Sequence, residues 1–385
     1  MSVRSLLGGG ASAALLPWVV QSLGGDGRTC LHLGALFAVG TLVSELPAAH
    51  LGDRDGRARH WLAWSGLVQA IGLAIAAFAP SIAWLSIAVL FIGVGAGLAT
   101  GAEGRAALSI GRDARGIARL EVAALLGKGS FCCVIAVVAV MAQVGARGAI
   151  AFSACGTLLA AMMAMTLRTG DRARATPRGR RARVRVGDRR ASWSFGVLAL
   201  MVAVAALSLA ARGTDSIDAF SVISQGSGIV VCAAILAAKS VIARVLAPVL
   251  ARFRVVGVAV AAAVVALPLA FVPRLPGVWV LVDLTLACGV AGAAAAAARG
   301  ILLARVGPDR AGIASAIEAT VRRGALAIGA LLLAPAAHDA MTSSPYVGAG
   351  IAAVIGGLAA LTPRVTTMIR RKLRRDGEAP MNVTV

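Results

Sequence analysis

Several ionisable side chains in this chain stand where almost everything around them is apolar. Glu45 interrupts the run at 30–50, Glu121 and Lys128 the run at 120–142, and Lys239 and Arg244 the run at 226–250. Glu318, Arg322 and Arg323 interrupt the run at 313–336. A charge held away from water is costly. Such groups therefore pair with one another, face a water-filled cavity, carry a proton or bind a charged solute. Lys128 lies roughly 13 Å along its run if that run is a helix. Asp283 stands near the start of the run at 278–298, Arg212 and Asp215 where the run at 194–214 ends, and Gln21 near the end of the first run. These four are candidate contacts for a substrate or a proton; a solvated outer loop is the alternative.

Other chemistries find little support. The six cysteines form no C-x-x-C and have no nearby His, and the four histidines show no metal-ligand spacing, so no metal or cofactor is expected. Gly127-Lys-Gly-Ser lacks the upstream glycine and the preceding strand of a phosphate loop. Asn382-Val-Thr384 matches a glycosylation triplet, but the tail that carries it is expected inside the cell.

The elements that hold these charges follow from composition. Of 385 residues, 59% are hydrophobic and 14% charged. Soluble domains sit nearer 45–50% and about 25%, so a disordered chain, a disulfide scaffold and an ordinary cytosolic enzyme are excluded. Twelve spans would take about 240 residues. The apolar runs fall at 5–23, 30–50, 60–79, 82–104, 120–142, 146–167, 194–214, 226–250, 255–272, 278–298, 313–336 and 346–361. Runs near twenty residues predict helices rather than the alternating ten-residue strands of a membrane barrel. Gly93, Gly97 and Gly101, spaced by four, share one helix face and predict close helix packing.

Charge sets the topology. With the N-terminus inside, 29 of the 38 basic residues fall in cytoplasmic segments, against four (Arg28, Arg147, Arg212 and Arg274) in outer loops. This predicts a multi-pass protein of the cell (cytoplasmic) membrane with both termini cytoplasmic. The net charge of +21 fits that reading better than a nucleic-acid partner, because the basic residues lie between apolar runs and aromatics are 4%. The Arg-rich segment 168–192 divides the chain and is expected as a solvated linker on the anionic inner-leaflet lipids. The expected organisation is a six-helix bundle at 1–167, that linker, a second six-helix bundle at 193–361, and a basic cytoplasmic tail at 362–385.

The halves echo each other. Gly93-Val-Gly-Ala-Gly leads to Arg105 and then Gly116-Ile-Ala before Glu121; Gly289-Val-Ala-Gly leads to Arg299 and then Gly312-Ile-Ala before Glu318. An offset near 195 residues predicts an internal duplication. It pairs Lys128 with Arg323 and Glu45 with Arg244 as equivalent positions.

Residues 45–59 read Glu-Leu-Pro-Ala-Ala-His-Leu-Gly-Asp-Arg-Asp-Gly-Arg-Ala-Arg, between the second and third runs. This resembles the signature loop of the major facilitator superfamily, Gly-x-x-x-Asp-Arg-x-Gly-Arg-Arg. Asp53, Arg54, Gly56 and Arg57 match in place, Arg59 falls one residue beyond the second basic position, and the leading glycine is Ala49. A degenerate second copy, Ala247-Pro-Val-Leu-Ala-Arg252-Phe-Arg254, follows the eighth run. The Glu45-x-Pro47 lead-in is similar to that of bacterial members. An early arginine in the fourth run and a Gly-Pro-Gly-Gly in the fifth, both common in drug–proton antiporters, are missing.

The resemblance implies an all-α membrane protein of twelve transmembrane helices in two pseudo-symmetric six-helix bundles. It implies that Asp53 helps to lock the halves together on the inside, and that spans one, four, seven and ten line the cavity. It also implies that spans two and eleven meet across the halves, as do five and eight. Glu45 is then expected to face Arg322 or Arg323, and Lys128 and Lys239 to lie near Glu121 or the cavity. Static pairing and gating both fit these charges. The expected function is a secondary transporter, not an enzyme, that moves a small organic molecule by alternating access. Export is favoured, protons are a candidate coupling ion, and the protein is expected to act as a monomer. A transporter-like sensor or assembly protein is the alternative. A lipid-modifying enzyme would need clustered Asp or His, and none appears.

Overall fold

The computed structural model describes residues 15–55, 58–110, 145–166, 195–212, 229–271, 278–306, 311–333 and 344–377. These form eleven helices among the described residues: α1 (15–22), α2 (Gly27–Asp55), α3 (Ala58–Phe78), α4 (Ile82–Ile110), α5 (Gly145–Thr166), α6 (Phe195–Arg212), α7 (Ile229–Arg252), α8 (Arg254–Phe271), α9 (Val278–Val306), α10 (Ala311–Leu333) and α11 (Ser344–Gly377). The fifth expected span lies outside the described residues, so α10 is the eleventh span and α11 the twelfth.

Helix is the state these sequences are bound to take. In hydrocarbon every backbone N–H and C=O must be satisfied within the segment, and Ala-, Leu- and Val-rich runs supply no competing polar groups. Among the described residues, five helices are long and apolar enough to cross a bilayer, at Gly27–Ala48, His60–Phe78, Ile82–Thr100, Gly145–Met163 and Val282–Arg305; shorter apolar stretches occupy Phe195–Ala211, Arg254–Val265 and Val347–Thr362. Large apolar side chains such as Trp64, Phe78, Phe152, Met162 and Leu358 point outward, as a lipid solvent allows.

Local signals set the helix starts. Asp26 caps α2: its Oδ1 accepts from the Thr29 backbone N–H at 2.8 Å and from the Thr29 hydroxyl at 2.7 Å. Gly24 turns the chain before it with φ 75°. Pro47 lies inside α2 and Pro248 inside α7. Each removes one rung of the hydrogen-bond ladder near the end of its helix and permits a bend there.

Several helices outrun their apolar runs. α2 extends to Asp55, α4 to Ile110, α9 to Val306 and α11 to Gly377. Hydrophobicity ends at the bilayer boundary, but helical hydrogen bonding needs only good helix formers, and Arg, Ala and Leu are such residues. Arg299, one of the 29 basic residues that the charge pattern assigns to cytoplasmic segments, instead lies inside α9 and is buried.

Packing repeats between the halves. In the first, α2 packs on α4, α4 on α3, and α3 on α5; in the second, α7 packs on α9, α9 on α8, and α8 on α11. These are the same three contacts between equivalent spans. The first core gathers Leu15, Val19, Leu73, Leu85, Ile92 and Ile150; the second gathers Leu200, Leu207, Val258, Leu302 and the alanines of α9. α10 packs on α6 of its own half, and it also lies along α2 and α4 of the first half.

Candidate functional site

Glycine lets α4 and α2 approach closely enough to form the floor of the site. A Cβ on Gly93 would strike the Phe37 backbone, one on Gly97 the Thr41 carbonyl and Ser44 hydroxyl, and one on Gly40 the Leu90 carbonyl. Ser44 Oγ, buried between them, lies 2.9 Å from the Val94 carbonyl across the interface. Gly95, on the other face of α4, meets α3, where the Ser65 hydroxyl donates to its carbonyl.

One residue beyond Ser44, Glu45 is fully buried. Its Oε2 lies 2.8 Å from Arg323 Nη1 of α10. Thr100 of α4 flanks the carboxylate. Within the second half, Arg299 Nε of α9 lies 2.7 Å from Glu318 Oε2, and Arg299 Nη2 donates to Ser315 Oγ at 3.2 Å. Arg322 Nε lies 3.3 Å from Glu318 Oε1. Helical geometry explains the division of labour. Glu318 and Arg322 are four apart on one face of α10, whereas Arg323 is turned about 100° from Arg322 and reaches α2. Five charges from three helices thus form one buried cluster: Arg299 and Glu318 fasten α9 to α10 inside the second half, and Glu45 and Arg323 fasten α10 to the first.

The chemistry open to this cluster is making and breaking ion pairs. A buried pair is weak glue, because the desolvation of both ions offsets most of their attraction; removing one partner alone, however, leaves a stranded charge. If α10 moved away from α2, water would hydrate both groups. The pair therefore joins α2 to α10 without making that contact irreversible.

The remaining candidates are scattered. Lys239 is buried on α7, and Arg244, expected at an interface, is exposed on the same helix with no ion pair among the described residues. Asp283 is half-buried on α9, about 24 Å from Arg299 along that helix, and its Oδ2 is shut from solvent without a hydrogen-bond partner among the described residues. Gln21 is exposed at the end of α1. Arg212 ends α6, and Gly101 lies in α4. Asp53 and Arg54 lie in the last turn of α2 and Arg59 in the first turn of α3, with side chains outside the described set. Gly56, Arg57, Glu121, Lys128 and Asp215 lie outside the described residues altogether. Sequence reasoning missed two members of the site, Arg299 as a partner for Glu318 and Thr100 beside Glu45. The resumption of apolar residues at Ile301-Leu-Leu-Ala is the signal that Arg299 is inside a helix.

The model of the Major Facilitator Superfamily matches residues 2–330. The fold is similar to the crystal structure of a point mutant of the nucleoside transporter NupG, with a TM-score of 0.65 and 13% sequence identity over 93% of this chain and 96% of that one. No curated protein sequence is a match.

Proposed function

The chain belongs to the major facilitator superfamily, a family of secondary transporters and not of enzymes, and from that premise we propose that it moves a small organic molecule outward across the cytoplasmic membrane by alternating access. The observation that carries the reading is the buried Glu45–Arg323 pair, at 2.8 Å, joining a helix of each half. A transporter whose halves rock about a central site needs contacts at one end that form in one state and part in the other. The bias such a contact supplies, about 1–3 kcal/mol, is enough to shift a two-state equilibrium without locking it.

The signature loop lies at the same end of α2 as this pair. Asp53 follows Glu45 by eight residues, about 12 Å along the helix, so both can act on one closure. The outward direction rests on the Glu45-x-Pro47 lead-in, similar to that of bacterial exporters. Asp283, toward the other end of α9, is the proposed contact for substrate or proton: a partly sequestered carboxylate on a span that lines the cavity in this family.

The test is a compound panel in proteoliposomes with and without a pH gradient. Gradient-driven accumulation in wild type, lost in Asp53→Asn and in Arg323→Gln, is the expected result. Ligand binding without flux for any compound would instead mark a transporter-like sensor.

A further inference from the structure

The last helix does not stop where its apolar run does. α11 continues as helix from the apolar stretch Val347–Thr362 through Gly377, some 15 residues or about 22 Å beyond it. At 100° per residue, positions 361, 365, 368, 369 and 373 fall on one arc of this extension, and they are Leu, Val, Met, Ile and Leu. Positions 364, 370, 371, 374 and 375 fall on the remaining arc, with 375 next to 368, and all are Arg. Lys372, the sixth basic residue, and Asp376, in the last turn, fall within the apolar arc; a lysine stem there can lie along apolar surface while its ammonium reaches the headgroups. Val365 and Met368, on the apolar arc, are 50% and 62% exposed. Pro363, directly after the span, removes a helical hydrogen bond where the helix would have to bend.

We propose that this extension is an amphipathic helix that docks on an anionic lipid surface. Its apolar arc would enter the acyl boundary and its arginines would meet the headgroups. Three features fit that occupant. The arcs have the apolar and basic composition of interfacial helices. The segment begins at the point where its own span leaves the bilayer, so the surface is within reach at no cost in association entropy. The net positive charge complements an anionic leaflet and would gain nothing from a zwitterionic one. The proposal does not depend on what the protein transports, so a failure of the flux assay leaves it standing, and the reverse holds.

The test uses the full chain in vesicles. A polarity-sensitive fluorophore is placed at Met368→Cys, in a variant whose native cysteines are replaced by serine. The vesicles are phosphatidylcholine with or without phosphatidylglycerol. With phosphatidylglycerol the emission shifts to the blue and lipid-borne quenchers suppress it; high salt reverses both, because screening weakens the headgroup contacts. In phosphatidylcholine alone the label reports water. Replacing Arg370, Arg371 and Arg374 by Gln lowers partitioning roughly hundredfold while the reconstituted protein remains monodisperse. A label in water in both vesicles, or in lipid equally in both, overturns the proposal. A triple variant that partitions like the parent overturns its electrostatic basis.

Discussion

Glu45 and Arg323 are conspicuous at the residue scale because each interrupts a long apolar run. Family topology places their spans side by side, and the structure sets the two groups 2.8 Å apart. Arg299 is not conspicuous in the same way. It follows a run of alanines at the expected end of a span, where an arginine reads as a loop charge, and only the continuation of α9 brings it to Glu318. Replacing one member of the inter-half pair strands the other. Glu45→Gln or Arg323→Gln should therefore destabilise the folded protein by about 3–5 kcal/mol, whereas the double substitution should cost far less. A double-mutant cycle of thermal unfolding midpoints in detergent measures the coupling, and additive effects would show that the pair is not coupled. A second residue-scale prediction concerns Arg254, which starts α8 with φ 55°. Left-handed backbone costs a non-glycine residue roughly 1–2 kcal/mol, so Arg254→Gly should raise the unfolding midpoint. An unchanged or lower midpoint would mean that the arginine side chain offsets the strain.

At the scale of elements, the existence and order of the spans are legible in the runs of apolar residues, but the ends of the helices are not. Hydropathy reports where lipid stops. The ladder of α11 continues through Arg370-Arg-Lys-Leu-Arg-Arg because nothing there breaks it. Close approach is legible only in part. The spacing of Gly93 and Gly97 predicts a packing face, while the partner, α2, comes from the structure. Gly97→Leu should force α2 and α4 apart and destabilise by about 1–3 kcal/mol or more, seen as a lower midpoint and poor recovery of folded protein. Gly34, on the same helix as Glu45, meets nothing within 4 Å. Gly34→Ala should be neutral or gain about 0.5–1 kcal/mol, because glycine is the poorer helix former. Equal losses at Gly97 and Gly34 would contradict the packing argument.

For the whole molecule, the internal echo in the sequence has a counterpart in packing. α2–α4–α3–α5 and α7–α9–α8–α11 are chains of the same contacts between equivalent spans. Among the described residues, α10 bridges to the other half through its contacts with α2 and α4. Pro47 and Pro248 lie near the corresponding ends of α2 and α7, each six residues before a charge of the signature loop or its degenerate copy. A duplicated scaffold that meets along α2 and α10 can rock only if that seam opens. In the proposed cycle the seam between α2 and α10 must therefore part at each turnover. Glu45→Cys with Arg323→Cys, in a cysteine-free background, removes both charges together and leaves two thiols at the seam. After bridging with a short bifunctional thiol reagent, flux in proteoliposomes should stop and should return on reduction. A bridged protein that transports at the unbridged rate would contradict the account.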